Sequence, residues 1–148
     1  MTLEAPVAES RAQHLTADER SAILDVVREY AASELAPFAI ERDAAQELPR
    51  EALARGGELG LGGLYIREDV GGSALSRLDA AAIVEELAMA DPSVAAYITI
   101  HNMVAWMIDT YGSEEQRQEW LPRLVAMTVF GASCLTEPGA GAKHPSMW

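Results

Sequence analysis

The stretch DPSVAAYITIHNMVAWMIDTYG, Asp91 to Gly112, constrains the fold more than any other part of the chain. Asp-Pro is a helix opening. The aspartate accepts from the first free N–H groups, and proline takes the first helical position, where its missing N–H costs nothing. Gly112-Ser113 closes the helix and begins another. Between these signals, Val94 to Tyr111 is apolar nearly all round, the pattern of a helix at the centre of a bundle. A membrane is the other home for such a helix. Here the run is interrupted by His101 and Asn102 and is too short for the ~20 residues a span needs. A buried core helix is expected, and no membrane span.

Other helices are expected around it. Thr16 and Glu19 form a capping box, and Ile23, Leu24, Val26, Val27, Tyr30, Ala31 and Leu35 repeat at helical spacing, so Thr16 to Ala36 reads as an amphipathic helix. Pro37 breaks or kinks it. A short helical stretch runs to about Gln46, and Pro49 opens another that contains Gly56 and Gly57, each at a cost of about 1 kcal/mol. Ser76, with Asp79 three residues on, caps a helix whose inward stripe is Ala80, Ile83, Val84, Leu87 and Ala88. Ser113 and Gln116 cap the last helix, where acids lead and arginine follows, as the helix dipole favours. After Leu124 the character changes: VFGASCLTE is β-prone and ends at Pro138, which predicts a strand.

A formal net charge of -12 repels nucleic acid and anionic membranes, and no basic cluster offsets it, so neither is an expected partner. The single cysteine, Cys134, excludes an internal disulfide and suits a reducing compartment. The opening MTLEAPVAES matches neither a signal nor a transit peptide, so the cytoplasm is the expected location, or the mitochondrial matrix for a eukaryotic source.

Few residues carry a chemical signal. His101 reads as a hydrogen-bonded core histidine, since no Ser, Cys or carboxylate stands at a helical neighbour spacing to work with it. His14 and His144 lie in the tails, and no metal-ligand spacing exists. GLGGLYIREDVGGSALS holds five glycines and reads as tight turns, because it lacks both GxGxxG and GK[ST]. LTEPGAG is different. A strand ending in Thr-Glu, then Pro-Gly and small residues, offers backbone N–H groups and a hydroxyl to a flat or phosphorylated cofactor, though a plain turn reads the same way.

Context supports the cofactor reading. CLTEPGAG, GLGGLYIREDVGGSALS, AAYITIHNMVAWMIDTYGSEEQRQEWLPRL and the helix order together resemble the N-terminal part of the acyl-CoA dehydrogenase family, from about Leu15 to Gly141. YITIHNM and GGLYI resemble its branch for short branched-chain acyl groups. The resemblance implies an all-α helical bundle over residues 15–126 after a polar extension, 1–14, and the first strand of a truncated β-domain in 127–148. It implies FAD as cofactor, an acyl-CoA substrate, electron-transfer flavoprotein as redox partner and a homo-oligomer, usually a tetramer. In such enzymes a glutamate removes the α-proton and the flavin takes the β-hydride. Transferred to this chain, Ser133, Cys134, Leu135 and Thr136 run along the flavin, with the Leu135 backbone and Thr136 hydroxyl at the ring. Gly141 approaches the pyrophosphate, and Ala142 faces phosphate or thioester. Ala95, Thr99, Met103 and Ala142 help line the acyl pocket.

Some positions depart from the family. It usually has serine where Ala142 stands, then aspartate; here the sequence reads AKHPSMW. No carboxylate of the chain matches the family's general base, so no catalytic residue is assigned. The expectation is a truncated N-terminal fragment, inactive alone. The competing reading is a stand-alone helical module that binds acyl-CoA or a protein partner without redox chemistry.

Overall fold

The computed structural model describes residues 15–136. They form an all-helical bundle: α1 (Ala17–Tyr30), α2 (Ala39–Ala45), α3 (Arg50–Glu58), α4 (Arg77–Ala90), α5 (Pro92–Tyr111) and α6 (Glu114–Val125), with short 3-10 turns at Leu61–Gly63 and Glu68–Val70. The caps are those read from the sequence. Thr16 accepts from the Glu19 N–H while its own N–H donates to Glu19, and Ser113 and Gln116 repeat the exchange. Ser76 accepts from the Asp79 N–H, and Asp91 accepts from Ser93 and Val94.

Pro37 does not end the first helix. The chain widens into a π-helical turn at Ala31–Leu35, tightens to 3-10 at Ala36–Phe38 and continues as α2. A proline ring crowds the carbonyl four residues before it, and a wider turn moves that carbonyl away. α2 stops at Gln46, which is held in the left-handed region at φ 55°, ψ 41°. Glycine meets no Cβ penalty there, so Gln46→Gly is expected to stabilise the chain by about 1 kcal/mol, read as a higher urea midpoint.

α4 packs between α1 and α5, and α6 lies against α5. Val27, Leu35, Leu53, Leu87 and Ile98 lie at the heart of the main core, and Ile66, Val70, Leu121 and Leu124 form a second cluster beneath α6. Arg20 ties α1 to Asp79 of α4 at 2.6 Å, and Arg28 ties it to Glu86 at 2.5 Å. The Tyr30 hydroxyl donates to the Ala52 carbonyl at 2.8 Å, and burial pushes its pKa up to about 12.

α5 buries one face only: Val94, Ala95, Ile98, His101, Asn102, Ala105 and Asp109. Ile100 and Met107 on the outer face are 40% and 48% exposed. The described helices supply neighbours on a single side of α5, so its all-round apolarity exceeds what they cover. Nor is Ala88 part of the α4 stripe; it is exposed.

The expected strand is not found. Phe130–Thr136 has no regular secondary structure, and there is no β-strand among the described residues. A strand needs a neighbour to share its ladder bonds, and a β-prone composition does not supply one.

At the far end of α5, Asp109 organises a buried ion cluster. It accepts from Arg67 Nε and from Arg117 Nε, both at 2.9 Å, and Arg67 Nη2 donates to the Asp109 carbonyl at 2.7 Å. Arg117 reaches Asp69 at 2.8 Å and Glu114 at 2.6 Å. The cluster fastens the 67–70 turn to α5 and α6.

Candidate functional site

The cofactor-facing residues read from the sequence lie on the segment that leaves α6. Three features bring the chain to that segment. First, a tight turn reverses it: the Met127 and Thr128 amides donate to Leu124 and Arg123 carbonyls at 2.9 and 3.0 Å. Met127, at φ 50°, is drawn into the core and is 1% exposed.

Second, glycines make room for this turn. A Cβ on Gly57 would lie 2.5 Å from the Ala126 carbonyl oxygen, and one on Gly62 would lie 2.7 Å from Met127 Cγ. The two glycine-rich places in the sequence therefore form a cradle for the backbone at 124–127. The stretch 60–76 does form turns, and in it Gly60 and Gly71, at φ 82° and 90°, take the positive φ that favours glycine.

Third, two adjacent polar residues on the buried face of α5 hold the pieces together. The Asn102 side chain accepts from the Leu64 N–H at 2.8 Å and donates to the Leu61 carbonyl at 2.7 Å, fixing the glycine turn. His101, with no exposed surface, joins the Leu124 carbonyl through Nε2 at 2.9 Å, while its Nδ1 accepts from the Gly131 N–H at 3.0 Å. An acceptor at Nδ1 requires a lone pair there, so the proton sits on Nε2 and the ring is neutral. Burial holds its pKa below the ordinary histidine value, outweighing the Leu124 carbonyl, which favours the charged form. The core-histidine reading is right, and the ring carries the segment as well.

Beyond Gly131 the residues are exposed, Leu135 at 76%. Ser133, Cys134, Leu135 and Thr136 make no hydrogen bond to another described residue. Their N–H groups and the Thr136 hydroxyl are thus open to a ligand. Gly141 and Ala142 lie outside the described residues. Along the flank of α5 beside the segment, Tyr97 meets Phe130 edge-on at 6.1 Å, and Arg50 lies over the Phe130 ring at 5.2 Å. The Tyr97 hydroxyl is buried without a hydrogen-bond partner among the described residues.

The three α5 positions assigned to an acyl pocket separate. Four-residue steps advance about 40° around a helix, so they fan out instead of forming a row. Ala95 is in the core, Thr99 is exposed with its hydroxyl bonded back to the Ala95 carbonyl at 2.9 Å, and Met103 is half-buried. Sequence reasoning missed Asn102 and the Asp109 cluster. The available signal was polarity itself, since an Asn or Asp in an apolar helix is buried only with partners.

Among the described residues no three His, Cys, Asp or Glu side chains group as metal ligands, and no helix is long and apolar enough to cross a membrane. The buried carboxylates are all engaged: Asp79 with Arg20 and Ser76, Asp91 at the α5 cap, Asp109 with two arginines.

Comparison with known proteins gives a consistent result. The family model for the acyl-CoA dehydrogenase N-terminal domain matches residues 17–128. The chain is 48% identical over 133 residues to the mitochondrial isobutyryl-CoA dehydrogenase of Dictyostelium discoideum, covering 90% of this chain and 32% of that one. Against the mitochondrial isobutyryl-CoA dehydrogenase of Bos taurus the identity is 43% over 130 residues, 88% of this chain and 31% of the relative. A glutaryl-CoA dehydrogenase from Mycobacterium smegmatis, solved in complex with FADH2, superposes with a TM-score of 0.79 at 29% identity, over 86% of this chain and 33% of that one. The chain thus spans about a third of the length of the curated relatives it matches.

Proposed function

The chain belongs to the acyl-CoA dehydrogenase family through its N-terminal helical domain, and from that membership we propose that it is the helical part of an FAD-dependent enzyme desaturating a short branched-chain acyl-CoA. Isobutyryl-CoA is the proposed substrate, which places the reaction in valine breakdown. The observation that carries this is the 48% identity to an isobutyryl-CoA dehydrogenase over 133 residues. Electron-transfer flavoprotein is the proposed electron acceptor, and a homotetramer the proposed assembly. The two isobutyryl-CoA dehydrogenase relatives are mitochondrial by name, and the matrix, or the cytoplasm of a bacterium, is the corresponding site for this chain. We also propose the domain limits 15–126 and 127–148 as read from the sequence.

The exposed, unpaired run Ser133–Thr136 fits a flavin: it offers backbone donors and a hydroxyl on a segment without bulky side chains pointing back at a fold. In this reading the Leu135 backbone and Thr136 hydroxyl orient the ring, Cys134 and Ser133 flank it, and Gly141 and Ala142 serve the phosphates. Thr99, Met103, Ala95 and Ala142 are the proposed acyl-side residues, Ala95 through the core packing behind the pocket wall. When bound, FAD supplies the hydride-accepting chemistry. The residues described here bind and orient. Their buried carboxylates are committed to arginines and caps, which leaves none to act as general base.

Two experiments test this. The 148-residue chain supplied with FAD, isobutyryl-CoA and an artificial electron acceptor is expected to give no turnover above blank. Grafted in place of the matching third of the Dictyostelium relative, residues 15–136 are expected to return a yellow enzyme that prefers isobutyryl-CoA to straight-chain butyryl-CoA. A folded, flavin-loaded graft with no activity on isobutyryl-CoA overturns the substrate reading.

A further inference from the structure

We propose that His101 is a positioning residue for the flavin-facing segment: as the neutral Nε2–H tautomer it fixes Gly131, and through Gly131 it sets where the backbone of Leu135 and Thr136 lies. This rests on the function proposed above for that segment.

The geometry gives the imidazole two main-chain partners. Leu124, on the last turn of α6, presents its carbonyl to Nε2 at 2.9 Å. Gly131, beyond the reversal at 126–129, presents its N–H to Nδ1 at 3.0 Å. One ring therefore spans the turn and clamps both of its ends to α5. A Cβ on Gly131 would lie 3.1 Å from Val104 Cγ1, tighter than usual, so glycine lets the backbone approach the ring closely. After Gly131 the run Ala132–Thr136 makes no hydrogen bond to another described residue. Among the described residues Gly131 is thus the last fixed point, five residues before Thr136. A shift there moves the point from which the chain sets out toward the residues that meet the ring.

The clamp works in one protonation state. A cationic ring carries a proton on both nitrogens, and Nδ1–H would oppose the Gly131 N–H. The groups facing the ring are the Tyr97 phenol from α5 itself, 6.0 Å between centroids, the Leu124 carbonyl from α6 and the Gly131 amide. Arg50 of α3, over Phe130, is the cation beside this cluster. A phenol raised by burial and an arginine both disfavour a second positive charge or leave it unanswered.

The test separates the two bonds. In His101→Asn the side-chain oxygen stands where Nδ1 was and still accepts from Gly131. In His101→Gln the amide nitrogen stands where Nε2 was, reaching Leu124 and abandoning Gly131. In the full 148-residue chain, the Gly131 amide is expected to exchange about tenfold faster in His101→Gln than in wild type or His101→Asn. The Thr128 amide, bonded to Arg123, is expected to be unchanged in all three. The wild-type ring is expected to show a protonated Nε2 and a bare Nδ1 by nitrogen-15 shifts at neutral pH, a measurement that needs no variant. A cationic ring, or the opposite tautomer, overturns the proposal, as does equal Gly131 exchange in the glutamine variant.

The flavin arm uses the graft described above. FAD affinity is expected to fall about tenfold in His101→Gln, the worth of one hydrogen bond, and to return to within about threefold of wild type in His101→Asn. Normal FAD uptake by both the wild-type graft and His101→Gln overturns the positioning role alone. A wild-type graft that takes up no FAD overturns the function on which the proposal rests.

Discussion

Asp109→Ala is expected to destabilise the chain by about 3–5 kcal/mol, because it strands a buried guanidinium. The Arg117 and Asp109 side chains are only 5% and 6% exposed and meet at 2.9 Å. Removing the carboxylate leaves Arg117 with Asp69 and Glu114, whose side chains are 50% and 68% exposed and so answer it weakly. Arg67 loses the carboxylate at the same time and keeps only the Asp109 carbonyl, which loosens the 67–70 turn. Asp109→Asn keeps an acceptor and is expected to cost less than alanine does. Urea unfolding of the three proteins measures the difference. The same cluster gives a pH signature. Burial acts to raise the pKa of Asp109, but the hydrogen bonds from Arg67 and Arg117 outweigh it and hold the carboxyl below its ordinary 3.8. Its contribution is therefore complete above pH 3.8 and is lost as pH falls through the lower folded value. His101 acts higher. Its folded pKa lies below 6.5, so its share is complete above that pH and declines as pH drops beneath it. Wild type is expected to weaken in two stages on acidification, and Asp109→Asn to show a smaller loss in the more acid one, where Glu19 and Glu114 also contribute.

Gly57→Ala is expected to cost roughly 2–3 kcal/mol, against the sign that helix propensity gives. Gly57 sits inside α3, where alanine normally gains about 1 kcal/mol over glycine. Here the added methyl meets the Ala126 carbonyl oxygen at 2.5 Å and carbon at 2.8 Å. These are backbone atoms, and they belong to the turn that seats Met127, so no side chain can swing aside. A thermal melt of Gly57→Ala decides the matter: stabilisation would mean that the 126–127 turn does not lie against α3.

Features set by neighbours in sequence were legible, and those set by neighbours in space were not. Thr16 with Glu19, Ser76, Asp91-Pro92 and Ser113 with Gln116 marked helix starts that the structure reproduces, because a cap is a bond across two or three residues. The π-helical turn before Pro37 was missed: a proline announces trouble but not which way the chain absorbs it. Gly57 and Gly62 read as a weak helix and a turn because the backbone they accommodate, Ala126 and Val125, arrives 69 and 63 residues later. The strand failed for the same reason, since half of a ladder is always elsewhere. Of the segment proposed to face the cofactor, Ser133–Thr136 lie exposed where a ligand can reach them. The anchor at His101 was half seen, as a satisfied histidine whose partners the sequence did not disclose.

The bonds from α5 also impose an order on synthesis. The glycine turn at 61–64 is fixed by Asn102, 38 residues after Leu64. A ribosome adds residues at about 5–20 per second, so the turn leaves the exit tunnel and waits on the order of seconds for its partner. During that interval Leu61, Leu64 and Ile66, each nearly fully buried in the finished domain, are bare to solvent. A holdase chaperone would meet the nascent chain there. The Gly131 amide must wait until translation has passed α6 altogether, so among the described residues the segment beyond α6 is the last to be made fast.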